Sequence, residues 1–105
     1  MIDQKITIIG GGNIGGAIAT GLIKSKLIAP SSFTVTDRMT SILEKFQGQG
    51  VQISTDNKSA CQNADIIILA VKPAQMPAVW EQIHLKLPSE CLIISVASGL
   101  KLAWF

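Results

Sequence analysis

Three glycines stand in phase near the start of the chain, in Ile9-Gly10-Gly11-Gly12-Asn13-Ile14-Gly15-Gly16-Ala17-Ile18. Gly10, Gly12 and Gly15 satisfy the spacing G-x-G-x-x-G. Each place asks for glycine for its own reason. Gly10 permits a tight turn off a strand. Gly12, without a Cβ, lets a diphosphate come close to the backbone. Gly15 lets the following helix lie against the strand. Free N–H groups and the positive end of the helix dipole then meet the phosphates. The plain alternative is a glycine-rich turn between a strand and a helix. A strand before the loop, a helix after it and a βαβ unit beyond favour the phosphate-binding reading.

The next chemistry-bearing pair is Asp37-Arg38, at the end of the second apolar run. In a dinucleotide-binding fold that place meets the adenosine ribose. An acidic residue there hydrogen-bonds the ribose hydroxyls and favours NAD, whereas a nearby arginine favours the 2′-phosphate of NADP. Asp37 and Arg38 offer both signals side by side. A third reading has Asp37 capping the turn that follows. These alternatives stay open.

Such a site needs strands that end together and helices that begin there. Short runs rich in β-branched residues have strand length: Ile6 to Ile9, Phe33 to Thr36, Val51 to Ile53, Ile66 to Val71 and Leu92 to Val96. The last two lack polar alternation, as in strands covered on both faces in the middle of a parallel sheet. Between them lie helical patterns. Ile14, Ala17, Ile18, Gly21 and Leu22 form one stripe, closed by Lys24 and Lys26. Met39, Ile42, Leu43 and Phe46 form a second, ending at Gly48. A short third piece starts with Asn57 as N-cap and runs toward Cys61. Pro77 opens a fourth, with Val79, Trp80, Ile83 and Leu87 on one face and Pro88 as its stop. The alternation predicts an α/β fold: a Rossmann-type, doubly wound parallel sheet.

Composition closes other routes. The 105 residues are 48% hydrophobic and 15% charged, with a formal net charge of +2, which excludes a disordered chain. The basic residues are scattered, which argues against nucleic-acid binding. The run Ile66 to Val71 is far too short to span a membrane. Cys61 and Cys91 form no CxxC pair and have one histidine, His84, for company, too little for a zinc site or a disulfide scaffold. Two free, buried thiols in a reducing compartment are expected; Asp3 and Gln4 break any signal-peptide pattern at the start, and with no run of membrane length a soluble, cytoplasmic protein is expected. His84 reads as a partly exposed histidine and Trp80 as packing. No Ser-His-Asp set exists.

Taken together, the glycine loop, then Ala70-Val71-Lys72-Pro73, then Ile94-Ser95-Val96-Ala97-Ser98-Gly99 resemble the pyrroline-5-carboxylate reductase family. The resemblance runs the whole chain in order, and the A-V-K-P turn is its more specific part. It implies reduction of 1-pyrroline-5-carboxylate to proline with NADP(H), or NAD(H), as cofactor, and a homo-oligomeric full-length protein. By the same likeness Gly10, Gly11, Gly12, Asn13, Ile14 and Gly15 hold the pyrophosphate. Asp37 and Arg38 read the ribose, and Asn57 matches a family asparagine near the adenosine. Ala70, Val71, Lys72 and Pro73 line the cofactor path, and Val96, Ala97 and Ser98 lie near the nicotinamide. Lys72 also reads as a solvated lysine, but its place at a strand's carboxyl end favours a role.

Two residues depart from the family pattern. Ser98 replaces the second alanine of A-A-G, and Asp37 is unusual where NADPH is preferred. Family members continue into a helical domain that builds the dimer and most of the substrate pocket. Residues 1–98 are therefore expected to form the dinucleotide-binding domain, with 99–105 leading toward that absent part. The apolar ending Leu100 to Phe105 fits the front part of a longer protein. Two other expectations stand beside this one. One is a stand-alone or truncated nucleotide-binding module without catalysis. The other is the first domain of a related NAD(P)-dependent dehydrogenase, of the β-hydroxyacid or prephenate type.

Overall fold

The computed structural model describes residues 4–88 and 90–96. Its strands are β1 (Ile6–Ile9), β2 (Phe33–Thr36), β3 (Gln52–Ser54), β4 (Ile66–Leu69) and β5 (Leu92–Ser95). They form one parallel sheet in the order β3-β2-β1-β4-β5. The helices are α1 (Asn13–Ser25), α2 (Thr40–Leu43), α3 (Asn57–Cys61) and α4 (Met76–Ile83). The strand order reverses between β1 and β4, so loops leaving these two strands diverge to opposite faces. That divergence opens the crevice in which such sheets bind ligands.

Two apolar layers sandwich the sheet. On one face Ile6, Ile8, Val35 and Ile68 pack with Ala19 of α1 and with Leu43 and Phe46. On the other Ile9, Ile67 and Leu69 pack with Cys61 of α3 and with Met76, Val79 and Ile83 of α4. Neighbours along β1 and β4 thus serve opposite faces, and the doubly wound expectation holds. Burying each large aliphatic side chain contributes roughly 1.5–3 kcal/mol. This packing, rather than intrinsic propensity, holds α3, because so short a helix does not form alone in water.

Several local expectations shift. In α1 the buried positions include Gly15, Gly16 and Ala19, while Ala17 and Gly21 are exposed and Ile14 is 49% exposed. The start of α1 lies too close to the sheet for large side chains, so the apolar stripe rotates and Ile14 faces out. The second helix is short and tightens into a 3-10 turn at Glu44–Phe46; Met39 stands before it, exposed. The N-cap of α3 is Asp56, not Asn57: its carboxylate accepts from the Lys58 N–H at 3.1 Å. The fourth helix passes into a 3-10 turn at His84–Lys86 before Pro88 is reached. Trp80 and Leu87 are partly buried against the core. Ala70 and Val71 lie beyond the end of β4. Among the described residues β5 is an edge strand, with Leu92 56% and Ile94 40% exposed, so its apolar run does not mark the middle of the sheet. The expected lead-out at 99–105 lies outside the described residues.

Both cysteines are free, as expected, but Cys91 is only partly buried. Burial, and secondarily the Cys91 thiol, pushes Cys61 from 9.0 up to about 12. Burial, then the Asp65 charge, also raises Cys91. The unfolded chain loses a thiol proton near pH 9 while the folded chain keeps it. Stability is therefore full below about pH 9 and falls as pH rises toward about 12. Urea unfolding across that range is expected to show this decline, and a flatter one in Cys61→Ala.

Candidate functional site

The loop after β1 is held in place by crowding. Gly10 has φ +99°, in the left-handed region that favours glycine. A Cβ there would stand 2.8 Å from the Ala70 carbonyl oxygen and 3.2 Å from Val71 Cγ1. A Cβ on Gly15 would overlap the carbonyl oxygen of Gly10 and press on Ala70. Gly12 is different: a Cβ there would meet nothing within 4 Å. Gly12 is also the N-cap of α1, without a side-chain cap. The first intrahelical bond above it runs from the Gly16 N–H to the Gly12 carbonyl at 2.7 Å. The N–H groups of the first turn lack such partners within the helix, which makes this end a natural place for an anion.

Gly11 faces the core, where a Cβ would stand 3.1 Å from Val35 and 3.3 Å from Ile42 and Phe46. Its N–H donates to Asp37 Oδ2 at 3.1 Å. The other oxygen, Oδ1, accepts from the Met39 N–H at 3.0 Å. Asp37 therefore caps the following turn and braces the glycine loop at once. Arg38, beside it, is exposed. The Gly10 N–H donates to the Thr36 carbonyl at 2.8 Å, so two successive residues at the tip of β2 hold two successive residues of the loop.

The remaining predicted residues gather at the same carboxyl edge of the sheet. Asn57 opens α3 just beyond β3. Its Oδ1 accepts from Thr36 Oγ1 at 2.6 Å, and its Nδ2 donates to Gln82 Oε1 at 2.8 Å. The Ala70 N–H donates to the Ile9 carbonyl at 2.9 Å, bringing the turn after β4 against the glycine loop. Lys72 is exposed and precedes Pro73, which starts a 3-10 turn at Pro73–Gln75. Val96 follows β5 and donates its N–H to the Leu69 carbonyl at 3.0 Å. Asn13 is the first residue of α1, with the exposed Ile14 next to it. Ala97 and Ser98 lie outside the described residues.

Sequence reasoning missed Thr36 and Gln82. A polar residue closing an otherwise apolar strand is a usable signal for Thr36; nothing in the local pattern marks Gln82. His84 is partly buried, with Nδ1 2.9 Å from the Trp80 carbonyl and its ring stacked on Trp80. Among the described residues no cluster of His, Cys, Asp and Glu is built to hold a metal ion, and no helix is long and apolar enough to cross a membrane. A polar cleft of about 310 Å³, lined in part by Lys5, Ser31, Gln52 and Asn63, includes none of the predicted site residues.

A parallel doubly wound sheet with this loop at its switch point has the form of a dinucleotide-binding domain. Comparison with known proteins narrows the class. The family described as NADP oxidoreductase, coenzyme F420-dependent, matches residues 5–99, and the chain belongs to that family. It is 36% identical to the pyrroline-5-carboxylate reductase of Methanosarcina acetivorans over all of its own length and 39% of that protein's. The solved pyrroline-5-carboxylate reductase of Coxiella burnetii superposes with a TM-score of 0.89 at 35% identity, over 97% of this chain and 38% of that one. The Plasmodium falciparum pyrroline carboxylate reductase, solved with NADP bound, gives 0.84 at 25% identity, over 98% of this chain and 37% of that one. The chain thus spans about two fifths of the length of each of these three relatives.

The geometry separates the glycines by role. Gly15→Ala is expected to cost about 3 kcal/mol or more, because the new methyl collides with backbone that cannot move aside. Gly12→Val is expected to keep the fold and lose nucleotide affinity, because its side chain fills the open space above the helix. Urea unfolding and a nucleotide titration of the two variants check both outcomes.

Proposed function

We propose that this chain is the dinucleotide-holding part of a pyrroline-5-carboxylate reductase that uses NADP(H), with NAD(H) as a second cofactor. The carrying observation is the contrast within the loop. Gly10 and Gly15 are crowded by backbone, while Gly12 opens onto the uncapped start of α1. That contrast fits a diphosphate. Likeness to the reductases along the whole chain supports the substrate.

In this reading the first-turn N–H groups of α1, from Asn13 through Gly15, hold the pyrophosphate. Gly10 and Gly11 keep the loop in shape. Asp37, fixed through Gly11 and Met39, sets the ribose side, and the Arg38 guanidinium takes the 2′-phosphate by paired charge-assisted hydrogen bonds. Asn57 stands at the adenosine end. Ala70, Val71, Lys72 and Pro73, with Val96, Ala97 and Ser98, line the way to the nicotinamide. When bound, the reduced dinucleotide supplies the hydride that converts the imine carbon of 1-pyrroline-5-carboxylate to that of proline. Residues 1–98 form this cofactor domain and 99–105 lead out of it. In this reading the imine site and the subunit contacts belong to the length of the relatives that this chain does not span.

Fluorescence titration of the chain with NADPH and NADH tests the cofactor reading. Saturable binding is expected, with NADPH the tighter ligand. Arg38→Ala is expected to weaken NADPH by about tenfold while leaving NADH nearly unchanged, the scale of one lost charge-assisted contact. Equal losses for both nucleotides would remove Arg38 from the phosphate. Full-length protein is expected to oxidise NADPH when given pyrroline-5-carboxylate. Absence of that turnover would end the substrate assignment.

A further inference from the structure

Thr36 does two things at the tip of β2. Its carbonyl accepts from the Gly10 N–H at 2.8 Å, and its hydroxyl donates to Asn57 Oδ1 at 2.6 Å. The residue is fully buried. A buried hydroxyl needs a partner, and Asn57 is the one it has. From the other side Gln82, near the C-terminal end of α4, accepts from Asn57 Nδ2 at 2.8 Å. The two bonds fix the carboxamide in one orientation, oxygen toward β2 and nitrogen toward α4. A carboxamide has two N–H hydrogens and two oxygen lone pairs, so one of each remains available.

The position says what these remaining groups would meet. A dinucleotide with its diphosphate on the β1 loop lays its ribose at the tip of β2, where Asp37 follows Thr36. Asn57, beyond the next tip, lies on the adenosine side of that ribose. We infer that Thr36 and Gln82 are positioning residues: they hold the Asn57 carboxamide ready to hydrogen-bond the adenosine half of the cofactor. The inference rests on the dinucleotide reading above. It adds that recognition at this end is prearranged by a clamp joining β2, α3 and α4. The same residue anchors the glycine loop through its carbonyl, so loop and clamp share one strand tip.

The test uses the 105-residue chain, titrated with 2′,5′-ADP (the adenosine half alone) and with NADPH. Thr36→Val keeps the shape and removes the donor; Thr36→Ser keeps the donor. The valine variant is expected to weaken both ligands by about fivefold to tenfold, the scale of one hydrogen bond, and the serine variant to stay within about twofold of the parent. Gln82→Leu, on an exposed position of α4, is expected to weaken both ligands several-fold without change in melting temperature. It keeps the test decisive if Thr36→Val destabilises the fold. In an Asn57→Ala background neither substitution is expected to lower affinity further, because the group they position is gone. Unchanged affinity in Thr36→Val and Gln82→Leu would overturn the inference, as would losses that persist undiminished in the Asn57→Ala background. If the parent chain bound neither ligand, the dinucleotide reading itself would fall, a result distinct from both.

Discussion

Among the glycines of the described residues, the tightest approach is that of α1 to β1. At Gly15 the helix lies so near the Gly10 carbonyl that a methyl group has no room. Everything at the site follows from that approach. It brings the start of α1, whose first N–H groups have no partners within the helix, to the strand tips, where they can face a ligand. It restricts the contact face at the start of the helix to glycine, with Ala19 a turn further on, while Ile18, Leu22 and Ile23 pack against the core from the rest of the helix. It also turns Ile14 outward, against the pattern its spacing suggests. Gly12 is left with open space beside it, where Gly10 and Gly15 have none.

The second layer of support comes from the tip of β2. The Thr36 carbonyl and the Asp37 carboxylate take the N–H groups of Gly10 and Gly11. A glycine-rich loop has much conformational freedom to lose, about 1–2 kcal/mol per residue fixed. Hydrogen bonds to an ionised carboxylate are among the stronger ones, at about 1.5–3 kcal/mol, enough to offset that loss at a position. Asp37 thus has a structural task in the fold itself. Its carboxylate already serves the loop, and this accounts for an acidic residue beside an arginine without making them rivals for one ligand group.

The turn after β4 completes the frame. The Ala70 N–H bonds Ile9, and the Ala70 carbonyl lies against Gly10, so the A-V-K-P segment buttresses the loop as well as bordering the edge. Cover varies across the sheet. Ile67 and Leu69 are sealed beneath α3 and α4, while Leu92 and Ile94 on β5 remain open among the described residues. β5 therefore gains less from burial than its composition suggests.

Much of this was legible in the residues alone. The period of apolar positions distinguishes strands from helices, and the glycine spacing marks where a helix must start against a strand. Those are local properties of the chain, so the fold class and the loop followed from them. The positions that shifted are ones where packing decides. Asn57 reads as a cap, yet Asp56 holds that place, because the carboxamide is drawn into a bond between β2 and α4. Gln82 has no local signature at all; its role exists only once α4 lies against α3. Ile14 and Leu92 look like core by type and period, but exposure depends on what covers them. Residue types and their spacing were enough to set the order of elements and the backbone freedom at the loop, because both are written in side-chain shape and period. Which polar groups meet was left to the assembled fold, because those partners stand 21 to 26 residues apart in the chain and come together only when the sheet forms.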